Sequence, residues 1–246
     1  MIDDLRTVVF TDLDDTLFQT ERKFPAGMEM YSAAVDNRGT PASFSTPQQL
    51  LLVRRIMHEA DVIPVTGRTD KALALVNFPF RSFRITHHGA ISRCADGSPT
   101  EQWQQIFSPL LEAAAPVLIE AEVQIQKYCG SRLRARIHRA EDLGVITYLS
   151  VKCVVGAEQE LKDTMEQLAS SFSDTLTLHH NDRNAALLVC GAGKKEAVEM
   201  LLSELRRKGP LLSLGLGDSV SDAPFMSVCD FAITPQGSQL QQAFWE

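Results

Sequence analysis

The chain has no Cys-x-x-Cys pair and no cysteine–histidine cluster at zinc-ligand spacing. Its five cysteines, Cys94, Cys129, Cys153, Cys190 and Cys229, are odd in number and widely spread, which excludes a disulfide framework. Reduced thiols in a reducing compartment are expected, and with them a cytoplasmic location. No run of about 18 apolar residues occurs, so no membrane span is expected. The first residues, MIDDLRTVVF, are acidic at once and lack the basic start of a secretory signal. No segment is low in complexity, and no linker is rich in Gly and Ser. Positive charge is in deficit: 24 Lys and Arg face 31 Asp and Glu, a net charge of −7. Such a field repels nucleic acid and anionic lipid. An anionic substrate would need cations gathered at one place, or a metal.

Apolar residues make up 44% of the chain and charged residues 22%, which is ordinary for a folded protein and excludes a disordered one. A length of 246 residues allows one large domain or two modest ones, at roughly 150 residues each.

The apolar pattern divides the chain. Thr7–Phe10 is a short apolar run without alternation, as in a strand covered on both faces. Two extended pieces follow within 30–45, around the turn sequence Asp36-Asn37-Arg38-Gly39. Thr46-Pro47 reads as a helix cap and first residue, with the helix over Gln48–Ala60. Val62–Val65 and Phe83–Thr86 read as strands and Lys71–Val76 as a helix. From residue 92 the style changes. A helix is expected over Trp103–Glu122, kinked or broken at Pro109 and Pro116. Strands are expected over Leu133–His138 and Val145–Val155, a helix over Glu158–Phe172, then strands over Thr175–His180 and Ala185–Cys190. Helix–strand–strand occurs twice, which suits an antiparallel sheet with helices on one face. A helix over Lys194–Lys208 stops at Gly209-Pro210, and strands over Leu211–Gly217 and Asp230–Thr234 close the chain. The expected fold is α/β: a Rossmann-like parallel-sheet core, residues 1–88 and 191–246, with an inserted α+β cap domain over 89–190.

Three of the core strands end in polar clusters: Asp12-Leu13-Asp14, Thr66-Gly67-Arg68, and Asp218 with Asp222. Ligands of an open parallel sheet lie beyond the carboxyl ends of its strands. If these strands are neighbours, several carboxylates crowd one spot, and their mutual repulsion calls for a cation. Hard oxygen donors suit Mg²⁺. Carboxylates, a threonine hydroxyl and a lysine around Mg²⁺ make a phosphoryl-transfer site. Asp12 is then the nucleophile, forming an aspartyl-phosphate. Asp14 protonates the leaving alcohol and activates water. Thr66, the Gly67 amide and a lysine hold the phosphoryl oxygens. A capping role at a helix start explains one acid, but not Asp218 as well.

Asp12-Leu13-Asp14-Asp15-Thr16-Leu17 after a buried strand resembles the first motif of the haloacid dehalogenase-like superfamily. Val65-Thr66-Gly67-Arg68 is similar to its second motif, and Gly217-Asp218 through Phe225-Met226 to its fourth. A lysine opening a helix, Lys194, matches the third. An insertion between the second and third motifs resembles that family's type-two cap. Its doubled helix–strand–strand order resembles the Cof-like, sucrose-phosphatase-like and mannosyl-3-phosphoglycerate-phosphatase-like branch. The resemblance implies Mg²⁺-dependent hydrolysis of phosphate monoesters, often sugar phosphates. It implies that Asp12, the Asp14 backbone carbonyl and Asp218 bind the metal, with Asp222 orienting that shell. A small phosphorylated metabolite is the expected partner, without nucleic acid or membrane, and the chain is expected as a monomer or small homo-oligomer. A phosphomutase of the same fold and a non-catalytic sensor of a phosphorylated ligand are the alternatives. The chain departs from the pattern at His88-Gly89 (usually Asn-Gly), at Lys194-Lys195 (usually Lys-Gly) and at Ser221 (often Asn). Lys194 is favoured over Lys195, because Lys-x-x-Ala then aligns through Ala197.

Other residues carry two readings. His87 and His88 either contact substrate or pack at a strand end. Arg68 either binds substrate or pairs with a nearby acid. Arg132, Arg134 and Arg136 alternate along an expected strand, beside Lys152, and form either an anion-facing surface or an exposed charged face.

Overall fold

The computed structural model describes residues 5–129, 133–181 and 183–245. It divides into two compact units, one of Met1–Thr100 with Lys194–Glu246 and the other of Glu101–Gly193. The expected boundaries at 88/89 and 190/191 fall slightly earlier in the chain than these. Among the described residues no helix is long and apolar enough to cross a membrane.

The first unit opens with β1 (Arg6–Thr11), whose Val8, Val9 and Phe10 are fully buried. A strand covered on both faces needs no polar alternation, and this one has none. Residues 13–18 then fold back tightly: Leu17 donates to Leu13 O (2.9 Å) and Asp15 to Phe18 O (2.7 Å). The hairpin β2 (Tyr31–Val35) and β3 (Pro41–Ser45) follows. Next is α1 (Pro47–Glu59), started by a reciprocal cap. Thr46 Oγ1 accepts from Gln49 N, and Gln49 Oε1 accepts from Thr46 N. The Gln49 amide also donates to Thr16 O at 3.2 Å, tying this helix start to the turn after β1.

The chain continues through β4 (Asp61–Pro64), the single helical turn α2 (Asp70–Leu73), and the antiparallel pair β5 (Arg84–Thr86) and β6 (Ile91–Arg93). The α2 helix is shorter than the expected Lys71–Val76. Its end folds against the hairpin instead, where Val35 donates to Leu75 O and Asn77 to Ala33 O.

The second unit begins with a π-helical turn over Trp103–Phe107 that runs straight into α3 (Ser108–Cys129). Pro116 lies inside α3 and does not end it, so of the expected kink or break the break does not occur there; the helix runs on past Glu122 to Cys129. The reason is burial at heptad-like spacing: Leu111, Ala114, Leu118, Ala121 and Ile125 form one apolar seam. Packing of that seam outweighs the backbone bond that proline lacks. β7 (Arg136–Asp142) and β8 (Val145–Lys152), α4 (Glu158–Ser170), and β9 (Leu176–Asn181) and β10 (Asn184–Val189) complete the unit. The doubled helix–strand–strand order gives one antiparallel sheet, β7-β8-β10-β9.

The expected strand over Leu133–His138 is displaced: Arg134 sits at φ 45° and β7 starts only at Arg136. A left-handed residue cannot continue an extended ladder. Arg134 and Arg136 therefore do not share one strand face, and Arg132 lies outside the described residues.

The chain returns to the first unit through α5 (Lys194–Lys208), β11 (Leu211–Leu216), the short α6 (Ala223–Met226), β12 (Phe231–Ile233) and α7 (Gln239–Trp245). Its sheet has the order β12-β11-β1-β4, all parallel, and Val65 bridges to Ile85 of β5 beyond it. Thr11 is level with both Leu216 and Pro64, so three strands end side by side.

The α3 seam sets the first testable expectation. Leu118 is fully buried, and Leu118→Ala should cost the second unit about 2–5 kcal/mol in a urea titration followed by its amide signals. A loss within about 0.5 kcal/mol, as at a surface position, would contradict the packing described.

Candidate active site

The aligned strand ends assemble the site. Asp12 follows β1 directly, and its N–H extends the ladder to Leu216 O at 2.8 Å. Asp218 stands two residues beyond β11, and Asp222 caps the start of α6. All three are buried, and each offers a carboxylate oxygen within 4.8 Å of the others. Lys194, the first residue of α5, reaches into this group. Its Nζ donates to Asp12 Oδ1 and Asp222 Oδ1, both at 2.7 Å. The neighbouring Lys195 is exposed. Thr16 adds a hydroxyl that donates to Asp218 Oδ1 (3.1 Å) and to Asp12 Oδ2 (3.5 Å).

Formal charge is out of balance here. Three carboxylates and one ammonium sum to −3 + 1 = −2 in a buried place. Burial pushes the Asp12 carboxyl well above its ordinary value, against the pull of Lys194. Burial and the Asp222 charge push Asp218 up to about 6. Asp222 behaves differently. Burial raises it, but the Lys194 ammonium and the Ser219 donors outweigh that and hold it below the ordinary value. Ser219 Oγ and N both donate to Asp222 Oδ2, at 2.7 and 3.1 Å. Lys194 is held firmly protonated, since its two carboxylates outweigh the cost of burial. A divalent cation would bring the sum to zero. The donors are carboxylate and hydroxyl oxygens, without sulfur or imidazole, and so suit a hard ion. These residues therefore fit the metal that the sequence motifs imply.

Gly217 is needed for this geometry. A Cβ there would lie 2.5 Å from Asp222 Cβ and 2.8 Å from Met226 Sδ. A side chain at 217 would push the α6 start, and Asp222 with it, away from Asp218.

Asp14 stands apart from the acidic trio. Its side chain is 53% exposed and is clasped by Arg68, with Nε to Oδ2 at 2.8 Å and Nη2 to Oδ1 at 2.7 Å. The guanidinium also lies 5.0 Å from the centre of the Phe18 ring. Of the two readings of Arg68, the structure displays the pairing with an acid. Such a two-point clasp fixes the carboxylate in direction as well as place.

The Thr66-Gly67-Arg68 turn follows β4. Thr66 is fully buried, and its Oγ1 accepts from Arg68 N at 3.1 Å. His87 and His88 strap this turn down: His87 N donates to Arg68 O (2.8 Å) and His88 N to Thr66 O (3.0 Å). Both histidines are left-handed, at φ 54° and 59°. A Cβ on Gly67 would come within 3.0 Å of three atoms of the His88 ring. The imidazole thus rests on the bare glycine, which allows no side chain at 67. Of the two, His87 is 2% exposed and packs at the strand end, with Nδ1 3.1 Å from Thr86 Oγ1.

Two residues of this network escaped the sequence reading as actors. Thr16 bridges two acids, and its signal was its place four residues after Asp12. Ser219 fixes Asp222, and its signal was its place directly after Asp218.

No protein-family model matches the chain. Solved structures do resemble it. The C-terminal domain of Candida albicans trehalose-6-phosphate phosphatase matches with a TM-score of 0.64 and 12% identity, over 92% of this chain and 74% of that one. The sucrose-phosphatase of Synechocystis, solved with sucrose and phosphate, matches at 0.59 and 14% identity, over 98% and 87%. A protein related to trehalose-6-phosphate phosphatase matches at 0.58 and 18%, over 94% and 88%. Two of the three are named as phosphatases and the third as a protein related to one. This chain shares their fold, a parallel-sheet core interrupted by an antiparallel α+β insertion.

The raised Asp218 carboxyl has a measurable consequence in metal-free protein. A carboxyl whose pKa is higher folded than unfolded contributes most at low pH, and that contribution fades as pH rises through about 6. Asp218→Asn keeps a neutral side chain throughout. In chelator, the stability of Asp218→Asn relative to wild type should therefore rise between pH 4 and pH 7.5 by up to about 3 kcal/mol. A difference that stays flat across this range would contradict the buried-charge description.

Proposed function

We propose that the chain is a Mg²⁺-dependent phosphatase that hydrolyses phosphate monoesters through an aspartyl-phosphate on Asp12. The observation that carries this reading is the buried trio Asp12, Asp218 and Asp222, sharing one lysine at the carboxyl end of a parallel sheet. A sugar phosphate, or a related small phosphorylated metabolite, is the proposed substrate. Its support is chemical and comparative: the fold is shared with proteins named for trehalose-6-phosphate and sucrose phosphatase activity.

The roles follow from charge and reach. Asp12, with the Asp14 carbonyl, Asp218 and Asp222 around it, would hold Mg²⁺. Bound there, Mg²⁺ would neutralise the repulsion between the anionic nucleophile and the phosphate dianion. The Thr66 hydroxyl, the Gly67 amide and Lys194 Nζ hold phosphoryl oxygens and stabilise the charge that gathers on them. The second Asp12 contact, Thr16, keeps the carboxylate aimed. Asp12 attacks phosphorus and the ester P–O bond breaks. Asp14 gives its proton to the leaving oxygen, then takes one from the attacking water as the acyl-phosphate P–O bond breaks. Inorganic phosphate leaves and Asp12 is restored. Arg68 orients Asp14 for both transfers. His88, whose ring lies against Gly67, is the further side chain proposed to contact a substrate oxygen held at the Thr66 turn.

Phosphate release should be seen with Mg²⁺ and p-nitrophenyl phosphate, and faster with one or more members of a sugar-phosphate panel. Asp12→Asn should show no turnover, and Asp14→Asn should lose roughly 10²–10⁴-fold in kcat, both still folded by circular dichroism. Wild-type turnover in Asp12→Asn would refute the nucleophile. Transfer between sugar positions without free phosphate would replace hydrolysis by mutase chemistry.

A further inference from the structure

A cleft of about 720 Å³ is walled entirely by residues of the first unit. Thr66 does not line it: the Thr66 turn follows β4 on one side of β1, whereas the cleft is walled by residues 15–52, from the turn after β1 to the start of α1, and by residues 216–239, from the ends of β11 and β12 onward. Thr16 and Asp218 form the cleft's inner end and are shared with the acidic cluster. The volume is that of a small-molecule site, for which roughly 300–1,000 Å³ is usual.

The walls state what would fit. Gln19, Gln48, Gln236 and Gln239 all line it, and none of their side-chain amides has a hydrogen bond to another described residue. Each offers a neutral donor and a neutral acceptor. One wall is apolar, made by Met28, Leu52 and Ile233, all more than a third exposed. The charges that border the cleft are already matched or repel anions. Lys23 is paired with Asp15 at 2.6 Å, and Asp218 is acidic. No lining residue is aromatic, so a flat nucleobase finds no ring to stack on. A phosphate finds no unpaired cation. What remains is an uncharged ligand with many hydroxyls and an apolar face.

We propose that this cleft is a binding site for a neutral saccharide, separate from the phosphate position and in contact with the acidic cluster through Thr16 and Asp218. The four amides bond the hydroxyls, and the apolar wall covers the C–H face of the ring. The site goes beyond the hydrolytic reading and shares only Thr16 and Asp218 with it.

The test is titration of the full chain with glucose and with sucrose, followed by amide NMR and calorimetry, with and without Mg²⁺. Saturable binding is expected, with shifts centred on residues 48, 236 and 239. Leu52→Trp, which fills the cleft, should weaken it by at least about tenfold, and Gln48→Ala combined with Gln236→Ala by about the same. All three positions are exposed, so the fold should survive, as an unchanged melting temperature would confirm. No saturable shift in the wild type, or binding that ignores both variants, would overturn the proposal. Release of phosphate from p-nitrophenyl phosphate is read on the same samples. Turnover without saccharide binding refutes the cleft alone, and binding without turnover refutes the hydrolase reading alone.

Discussion

The site depends on one unbalanced charge. Three carboxylates and a single ammonium are held together where water barely reaches, and the surplus is negative. Left alone, such a group lowers its own charge by taking up protons, which is what the raised Asp12 and Asp218 carboxyls express. Burial of unpaired charge is a cost in any protein. Here the surrounding structure holds the acids in place regardless: Ser219 pins Asp222, Thr16 bridges Asp12 and Asp218, and Gly217 lets α6 approach. A cluster built this firmly against its own repulsion is prepared for a cation.

The parallel sheet is the means of assembly. Asp12, Thr66 and Asp218 are distant in sequence, but each follows a strand that ends at the same level. The inserted second unit has its own sheet and its own helical seam, so the chain can leave the core after Thr100 and return at Lys194 without disturbing these strands. The return matters, because it sets the first residue of α5 directly at the acids. The Arg68 clasp holds Asp14, two residues after Asp12, in a fixed direction.

Much of this was legible in the sequence, and the reasons are local. Asp12 and Asp218 stand just after apolar strand runs, with Asp222 four residues on, and an apolar run without alternation is a direct sign of a covered strand. The doubled helix–strand–strand order of the insertion could be read from periodicity, as could the bounds of α5, which Gly209-Pro210 fixes on one side. What was not legible depended on packing. Pro116 looks like a break until the seam of Leu111, Leu118 and Ile125 is known to be buried on both sides of it. Arg134 looks like part of an alternating strand, because nothing in its neighbours announces a left-handed backbone. β6 is three residues long and owes its existence to β5 beside it. Thr16 and Ser219 are common residue types, and only the three-dimensional meeting of distant strands makes them partners of the acids.

The most direct measurement is the stoichiometry of divalent-ion binding. Equilibrium dialysis against Mg²⁺ at neutral pH should find one ion per chain, with affinity falling as pH drops through about 6 and lost in Asp218→Asn. An ion retained by that variant, or no uptake by the native chain, would contradict the charge imbalance from which the site has been built.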